Sequence, residues 1–423
     1  MAIDGTQLKV SVEEGERWRR TMSVTVPAGI VQTERRRITR ELASRLKLPG
    51  FRKGRVPAAV VEKRYGAALN REAMDKLIGV AYREALAQNE LRPISEGEVG
   101  NVRYEPEQDL TFTISFDVRP QIELGRLGGF RIARPAIEGL DEKLRQVLER
   151  LREQNGTWEA VEEGSPGDGD LVSVEIERLQ DGGEGATQPY EFVLGRGDAI
   201  PDIEQAIKSL AVGAEGEFIV KFPDDFPNEE RRGQEEHLRI RLTARSRLEL
   251  PELNEEFARA LGDFEGLDDL SEKIRADLRR EAEDQAESVV RGRLLDSILE
   301  ANPFTVPVSM VDRYLASLLG DPEGVPPEKW NEAKEQITPQ AEVAVKRILV
   351  IDRVSDSQGL QATEEELDSR IEEIAVKSGE NPAKVYANLQ KSERLEALER
   401  EITERKVFDF LKGQSEIIVN GAT

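Results

Sequence analysis

The sequence predicts a multidomain α+β protein, built from an α+β N-terminal domain, an antiparallel β-rich domain and an irregular all-α C-terminal domain. Three observations lead to this prediction. The chain has 423 residues, well above the roughly 100–200 residues of a typical domain. Apolar residues alternate at strand spacing in two stretches, one near the N-terminus and one between residues 171 and 244. Beyond Pro251 they recur at helical spacing almost to the end of the chain.

The N-terminal domain, placed at residues 1–115, combines strands with helices. Alternating residues such as Val10 and Val12 indicate strands, and residues four positions apart, such as Ile38 and Leu42, indicate helices. The predicted strands lie within residues 6–28 and at 98–105 and 109–118, and the predicted helices lie at 28–46, 58–64 and 67–89. This order of elements is typical of an α+β domain.

Residues 116–156 are predicted to contain a linker and the first helix of the helical domain. The linker, 119–139, is rich in Gly and Pro, whereas the helix, 140–154, carries a stripe of apolar residues. Residues 157–247 then form the β-rich domain, because short alternating runs are separated there by Gly and Pro. Its predicted strands lie at residues 171–176, 190–194, 216–222 and 237–244.

The C-terminal domain, placed at residues 248–423, is predicted to be helical but irregular. Thr363 and Glu366 form a capping-box pattern in front of a helical apolar stripe. A heptad repeat is not sustained, so a coiled-coil rod is not expected. Seven prolines are expected to divide this stretch into separate helices: Pro303, Pro307, Pro322, Pro326, Pro327, Pro339 and Pro382.

Two residue counts exclude several kinds of site. The chain has no Cys and a single His, His237, so disulfides, thiolate metal sites and two-His metal sites cannot form within one chain. We expect neither a metal nor a cofactor, and we expect His237 to be a surface residue. No apolar run approaches the ~20 residues that span a bilayer, and Met1–Val10 lacks the features of a signal peptide. We therefore expect a cytoplasmic protein that does not bind a membrane.

The net charge of −23 is unevenly distributed along the chain. Residues 1–115 contain 20 basic and 16 acidic residues, whereas the other 308 contain 40 basic and 67 acidic residues. Within residues 35–64 there are 11 basic residues and only two acidic ones, Glu41 and Glu62. Such a patch favours contact between one end of the protein and a polyanion. On charge alone, a solvated basic helix face is an equally good interpretation.

Three other motifs are better explained as ordinary structure. Asp168-Gly-Asp170 lacks the further ligands of a calcium loop, so a turn before a strand is expected. Gly195-Arg-Gly197 lacks the third Gly of a dinucleotide-binding loop. The many Asp and Glu residues include no pair that stands out as an acid and base for glycoside chemistry, and charged helix faces explain them better.

The segment from Leu48 to Pro57, Leu-Pro-Gly-Phe-Arg-Lys-Gly-Arg-Val-Pro, is different. Two Pro and two Gly in ten residues predict a loop between two helices. Its tip presents one aromatic side chain and two cations. Phe can insert into an apolar crevice or stack on a base, while Arg and Lys can neutralise phosphates. By chemistry alone the segment is also compatible with an ordinary basic turn.

This segment closely resembles the signature loop of trigger factors, the family of bacterial ribosome-associated chaperones. Two further segments, Phe192-Val-Leu-Gly195 and Ile200-Pro-Asp-Ile-Glu-Gln-Ala-Ile207, resemble the FKBP-type prolyl isomerase domain of that family. The segment Leu248–Phe257 resembles the family's passage from this domain to the helical domain. The resemblance extends over essentially the whole chain, and it implies an FKBP-like fold for the β-rich domain.

The resemblance implies that the loop docks on the large ribosomal subunit beside the nascent-chain exit, where it contacts a ribosomal protein and rRNA. The residues that it assigns to docking are Gly50, Phe51, Arg52, Lys53 and Gly54. It also implies that nascent and unfolded polypeptides are partners and that part of the protein is ribosome-associated. A weak homodimer of the free protein is compatible with the family, but the sequence does not decide this.

For the FKBP-type domain, the resemblance implies an apolar pocket that accepts proline. The residues carried over by position are Ile176, Phe192, Ile200, Ile203, Phe226 and Leu238. Three of them, Ile176, Ile203 and Leu238, stand where aromatic rings are common in the family, so weak activity is expected. Prolyl isomerisation needs no nucleophile and no metal, because the enzyme only has to favour the twisted imide over the planar one.

The leading hypothesis is therefore a ribosome-associated chaperone with FKBP-type isomerase activity, which assists early folding and, as the resemblance implies, protein export and cell division. Helices with apolar stripes but few aromatic residues can hold clients on exposed apolar surface, unless the stripes are all buried against each other. One rival hypothesis is a non-catalytic adaptor with a degenerate isomerase domain. Another is an RNA-binding regulatory protein, against which the acidic majority of the chain counts.

Overall fold

A computed structural model describes residues 7–49, 51, 56–105, 107–179, 187–320 and 326–419. The chain forms two compact units. The first unit comprises Met1–Arg134 together with Ser288–Thr423, and the second comprises Pro135–Glu287. Among the helices of the described ranges, none is both long and apolar enough to span a bilayer.

The N-terminal part of the first unit is a four-stranded antiparallel sheet with two helices. Its elements are β1 (Lys9–Glu14), β2 (Arg19–Val26), α1 (Ala28–Arg45), α2 (Ala58–Gln88), β3 (Glu98–Arg103) and β4 (Leu110–Asp117). The strand order is β1-β2-β4-β3. The prediction of two helices at 58–64 and 67–89 was wrong, since α2 is continuous through Gly66. A single Gly in a helix costs only about 1 kcal/mol, which the packing of a long helix outweighs.

The core of this part forms where the sheet meets α2. Alternate residues of β4, among them Phe112 and Phe116, are buried, as the alternation in the sequence predicts. They pack in one cluster with Met22 of β2 and with Leu77 and Ala81 of α2. A second cluster joins α1 to the start of α2 and includes Ile38 and Val61. The two clusters together hold both helices against the sheet and against each other.

The predicted linker at 119–139 is not entirely irregular. Within it lies strand β5 (Arg131–Arg134), which pairs in parallel with β11 (Glu416–Val419). The pairing joins positions 285 residues apart, Arg131 and Glu416, whose side chains also form an ion pair at 3.0 Å. Ile132 of this strand is buried among helix residues of the first unit. The C-terminal end of the chain is thus anchored by a strand as well as by helices.

In the described residues, the second unit contains a five-stranded antiparallel sheet and several helices. Its elements are α3 (Leu140–Gln154), β6 (Thr157–Ala160), β7 (Leu171–Arg178), β8 (Gln188–Val193), α4 (Pro201–Lys208), β9 (Glu215–Lys221), β10 (Glu235–Glu249), α5 (Glu255–Leu261) and the beginning of α6 (Leu267–Ala301). The strand order is β6-β10-β7-β8, and β9 also pairs with β10. The four strands predicted in this region are confirmed, whereas β6 and α4 were not predicted.

The helices α3, α5 and α6 of the second unit share a core separate from that of the sheet. Leu144 and Leu148 of α3 pack with Phe257 and Ala258 of α5 and with Leu270 of α6. The sheet has its own apolar cluster, formed by residues such as Val174 and Ile240, with α4 packed on it. The leucine stripe that predicted α3 is therefore the face that joins it to the helices after residue 250.

The rest of the first unit is helical. It contains α7 (Val308–Leu319), α8 (Pro327–Gln358), α9 (Glu364–Ser378), α10 (Pro382–Lys391) and α11 (Leu395–Gly413). The capping box is confirmed: the backbone N–H of Thr363 donates to Glu366 Oε2 at 2.9 Å, and that of Glu366 donates to Thr363 Oγ1 at 3.3 Å.

Several of the prolines separate helices, as predicted, and some of them lie at helix starts. Pro327 and Pro382 occupy first helical positions, where the missing N–H has no partner to lose. Pro339 is the exception, because α8 continues through it. Two buried residues that follow, Ala341 and Val345, pack against α7 and hold the helix together across the missing hydrogen bond. Pro322 lies outside the described residues.

Candidate functional site

Phe51 is 40% exposed in the segment between α1 and α2. Its backbone N–H donates to the carbonyl oxygen of Leu48 at 3.1 Å, which begins a turn. Leu48 and Val56 on either side are buried in the cluster that joins the two helices. Both flanks of the segment are thus fixed while the ring of Phe51 faces solvent. The other proposed docking residues, Gly50, Arg52, Lys53 and Gly54, lie outside the described residues.

The helices beside this segment expose several of the cations counted in the sequence. Those classed as exposed are Arg36, Arg40, Arg45, Lys47, Lys63 and Arg64. Arg37 is different, since it pairs with the buried Glu34 and with Glu41. The hydrogen bond from Arg37 lowers the pKa of Glu34 despite its burial. Exposed cations therefore lie on both sides of Phe51 along the chain, whereas Arg37 is paired with carboxylates of its own helix α1.

Five of the six proposed pocket residues belong to one cluster on the sheet of the second unit. Leu238 on β10 is buried, and the other four are partly buried against the same cluster: Ile176, Phe192, Ile200 and Ile203. They come from β7, β8, β10 and the start of α4, so four separate segments converge. Because Phe192 is the one ring among the five, this part of the site is mainly aliphatic.

Phe226 lies in the segment between β9 and β10 and is half-buried. Its ring packs edge-on against Phe222, with the ring centroids 4.9 Å apart. The guanidinium of Arg231 lies 4.2 Å from the centroid of Phe222 and 6.0 Å from that of Phe226. The proposed residue Phe226 is thus part of a small group of side chains that the sequence reasoning did not identify.

Glu236 is the other residue of this region that was missed. It lies on β10 and is almost completely buried, and it pairs with Arg178 and Arg231. The alternation of residues along β10 could have indicated that Glu236 is buried, because it places Glu236 on the same face of the strand as Leu238, Ile240 and Leu242. The sequence predicts His237, which follows Glu236, to be a surface residue. His237 is indeed exposed, but its neighbour on the N-terminal side points inward.

The other motifs have structural roles. Asp170 accepts a hydrogen bond from the backbone N–H of Gly167 and pairs with the buried Arg245 at 2.8 Å. Gly195 and Gly197 have left-handed backbones, with φ of +83° and +81°, in the turn after β8. Within the described part of the chain, no three His, Asp or Glu side chains are grouped so that they could hold a metal ion.

The helices of the first unit bury most of their apolar stripes but leave some residues exposed. Val311 and Leu315 of α7 are buried, whereas Leu318 of the same helix is exposed. Val343 and Ile348 of α8 are also exposed. An open groove of about 560 Å³ lies between α8 and α11, and its lining combines Ile348 and Ile351 with charged residues of both helices. Some residues of the apolar stripes are therefore buried against other helices, and others form exposed apolar surface, so each of the two expected outcomes holds for part of the stripes.

Three family models match this chain in succession. A model described as "Bacterial trigger factor protein (TF)" matches residues 8–151. One described as "FKBP-type peptidyl-prolyl cis-trans isomerase" matches residues 163–244, and one described as "Bacterial trigger factor protein (TF) C-terminus" matches residues 266–413. The middle match covers β7, β8, β9 and most of β10 in the antiparallel sheet of the second unit, so the predicted FKBP-like character of this domain is confirmed.

Similar proteins cover nearly the whole chain. The trigger factor of Halothermothrix orenii is 31% identical over 398 residues, which is 88% of this chain and 91% of that protein. The trigger factor of Halorhodospira halophila is 31% identical over 416 residues, with 96% and 94% covered. The trigger factor of Thermomicrobium roseum is 33% identical over 404 residues, with 89% and 80% covered. These matches confirm the resemblance predicted from the loop at residues 48–57.

A solved structure also matches this fold. It is described as "Promiscuous Substrate Recognition in Folding and Assembly Activities of the Trigger Factor Chaperone", and it covers 95% of this chain and 98% of its own. The TM-score is 0.50 at 20% sequence identity. The match therefore supports the fold alone. It agrees with the predicted order of an α+β part, a β-rich part and a helical part.

Proposed function

Because this chain belongs to the trigger factor family, we propose that it is a ribosome-associated chaperone that holds nascent polypeptides and catalyses peptidyl-prolyl cis-trans isomerisation. It contains an FKBP-type domain between the two family-specific parts. The observation that carries the proposal is this succession of three matches in one chain, with relatives covered over most of their length. The expected consequences are assistance to early folding and export, and a cytoplasmic location that is partly ribosomal.

We propose that the work is divided among four segments. Residues 1–115 bind the ribosome, 116–156 link this part to the helical domain and supply its first helix, 157–247 form the isomerase and 248–423 form the helical chaperone domain. The pairing of β6 with the end of β10 supports this division, because it makes the isomerase a self-contained insert. The shared core of α3, α5 and α6 supports the assignment of α3 to the helical domain.

Docking is proposed to use Gly50, Phe51, Arg52, Lys53 and Gly54 on the large ribosomal subunit beside the nascent-chain exit. The exposed ring of Phe51 supports this, since a solvent-facing aromatic on fixed flanks can insert into an apolar crevice. The surrounding exposed cations suit rRNA, because contacts with phosphates add affinity without sequence preference. A local patch on an acidic chain restricts such contact to one end of the protein.

Holding is proposed to use the exposed apolar residues of the helices. Leu318, Val343, Ile348 and Val376 are exposed and belong to three different helices, α7, α8 and α9. Each side chain buries only a small area when a client covers it, and each Å² of buried apolar surface contributes about 25 cal/mol to binding. Many small contacts of this kind bind unfolded segments without a fixed sequence and release them readily. Nascent and unfolded polypeptides are therefore the proposed clients, and no membrane partner is proposed.

Isomerisation is proposed to occur against the apolar cluster of the β-rich domain. The barrier is ~18–20 kcal/mol, because the amide must lose its resonance as it twists. An apolar wall favours the twisted state, because the charge separation between the carbonyl oxygen and the imide nitrogen is smaller there than in the planar amide. Ile176, Phe192, Ile200, Ile203 and Leu238 converge there, which supports their assignment as pocket residues. Phe226, in the loop after β9, is proposed to complete the wall.

A second function, that of a non-catalytic adaptor, is favoured by one observation. Ile176, Ile203 and Leu238 are aliphatic, so the wall offers fewer rings to a proline than is common in the family. The adaptor would keep the domain as a peptide-binding module. The two functions differ in a single measurement, which is turnover of a peptide that contains one X–Pro bond.

The proposal is tested with the purified full-length protein. It should co-sediment with ribosomes, crosslink to emerging chains and accelerate isomerisation of N-succinyl-Ala-Leu-Pro-Phe-p-nitroanilide. Co-sedimentation and crosslinking without isomerisation would support the adaptor instead. Absence of all three would contradict the proposed function as a whole.

A further inference from the structure

The side chain of Arg231 is held on two sides, by a carboxylate and by an aromatic ring. Its Nε donates to Glu236 Oε1 at 3.1 Å and its Nη2 donates to Glu236 Oε2 at 2.7 Å, so the contact is bidentate. The face of the same guanidinium lies 4.2 Å from the ring centroid of Phe222. Two bonds to one carboxylate fix both the position and the plane of the guanidinium.

Glu236 gives this arrangement its rigidity. Its side chain is only 4% exposed, and Arg178 on β7 donates a second charged hydrogen bond to Oε1 at 2.7 Å. An unpaired charge in a buried environment is costly, so the buried carboxylate of Glu236 favours the conformation in which both arginines remain bonded to it. Glu236 is on the central strand β10, between β7 and β9. Because β10 is held between two strands, the carboxylate of Glu236 has a fixed position and in turn fixes the position of Arg231.

The loop that carries Phe226 is closed around this pair. The backbone N–H of Phe222 donates to Gln234 O at 2.9 Å, and that of Gly233 donates to Phe222 O at 3.1 Å. Between these closing bonds, Phe226 rests on Phe222, and Arg231 rests on Phe222 from within the same loop. The order of contacts is therefore Glu236, Arg231, Phe222 and Phe226. Each member limits the movement of the next.

We propose that Arg231, oriented by Glu236, is a positioning residue that sets the placement of the Phe226 ring for prolyl isomerisation. The inference rests on the proposed isomerase function of this domain. It follows from the composition of the site, in which the converged wall is mainly aliphatic and the further ring comes from a loop. A ring on a loop needs support to act as a wall, and the Glu236–Arg231 pair supplies it through Phe222.

The test compares Arg231→Met with Arg239→Met in the full-length protein. The two arginines are a matched pair: their side chains are 37% and 36% exposed, and each bonds to carboxylates from its place in the same domain. With the X–Pro tetrapeptide nitroanilide as substrate, Arg231→Met should lower kcat/KM by about tenfold to hundredfold, mainly through kcat, as expected for a misplaced wall. Arg239→Met should stay within about twofold of wild type.

Two further variants separate positioning from simple stability. Arg231→Lys should not restore activity, because an ammonium cannot form the bidentate contact and stack on the ring. Glu236→Gln keeps the size of the side chain and should lower kcat, as Arg231→Met does. In an Arg231→Met background the added effect of Glu236→Gln on kcat should vanish, since Glu236 acts through Arg231. Thermal unfolding by circular dichroism identifies any variant whose domain does not fold.

A second readout does not depend on catalysis. With 4-fluorophenylalanine at position 226, the ¹⁹F resonance should shift or broaden in Arg231→Met and Glu236→Gln but not in Arg239→Met. If wild type shows no turnover while this pattern holds, the proposed isomerase function fails and the positioning of the ring stands. An unchanged resonance in folded Arg231→Met, or an equal loss of kcat in Arg231→Met and Arg239→Met, would overturn the inference.

Discussion

Thr157 and Glu249 are directly opposite each other in the ladder between β6 and β10. These residues are the first of β6 and the last of β10, so the chain enters and leaves the five-stranded sheet at adjacent positions. Just before this ladder, Gly156 approaches Leu248 so closely that a Cβ at position 156 would lie 2.7 Å from Leu248 Cδ1. The absence of a side chain at Gly156 is therefore what allows α3 to lead into β6 at this point.

Excision of residues 157–249 should leave a soluble, helical protein. The core that joins α3 to α5 and α6 contains no residue of the excised part, so it should remain intact. We expect the deletion variant, with Gly156 joined to Leu250, to suppress aggregation of an unfolded client about as well as wild type, while peptide isomerisation is lost. Light scattering of the client and circular dichroism of the variant measure this. A variant that aggregates on purification would show that the helices need the insert.

Replacement of Phe51, Arg52 and Lys53 with Ala should abolish ribosome binding without unfolding the protein. Phe51 is exposed and lies outside the buried contacts of Leu48 and Val56, so its ring contributes little to the core. Binding by the wild type should weaken as the salt concentration rises, because part of its affinity comes from cations that displace counterions. A control with Arg92 and Arg103 changed to Ala removes the same charge from exposed positions elsewhere. Co-sedimentation of the triple variant at wild-type levels would refute the docking assignment.

Phe226→Ala should reduce peptide isomerisation by about tenfold or more while holding changes little. The ring is half-buried against Phe222 on a loop, so its removal leaves the cluster of Leu238 and Ile240 intact. Holding is proposed to use exposed apolar area spread over the helices of the first unit, and Phe226 is not part of that surface. Ile219→Ala, which truncates an exposed residue of β9, serves as the control. If Phe226→Ala lost both activities equally, the two could not be separated.

Some features of this fold are determined locally and could be predicted from the sequence. Alternation in β4 predicted both the strand and its buried residues, and the pattern at Thr363 and Glu366 predicted the start of α9. These features depend on neighbours within a few residues. The loop at 48–57 was equally readable, because its Pro and Gly residues limit the backbone directly.

Features that depend on distant partners could not be predicted in this way. Nothing near Arg131 or Glu416 indicates that they pair in parallel across 285 residues. Glu236 is charged, so a local rule assigns it to the surface, and its burial is explained only by Arg178 and Arg231, which come from other segments. The support for Phe226 therefore became visible only in the folded chain, although its pocket residues were named from the sequence.

Glu342→Gln should destabilise the protein at neutral pH but not at low pH. Burial opposes ionisation of Glu342, but the hydrogen bond and charge of Arg17, together with Lys346, outweigh it and lower its pKa. A lowered pKa means that the stability is fully present above the unfolded value of about 4.3 and is lost as pH falls through the folded value. Arg17 is 40% exposed, which limits the loss at pH 7 to ~0.5–1 kcal/mol. Urea unfolding should show this difference from wild type at pH 7 and its progressive loss as pH falls below about 4, whereas Glu332→Gln, at an exposed position of α8, should behave as wild type. A difference that persists unchanged at pH 3 would show that Glu342 contributes through packing instead of charge.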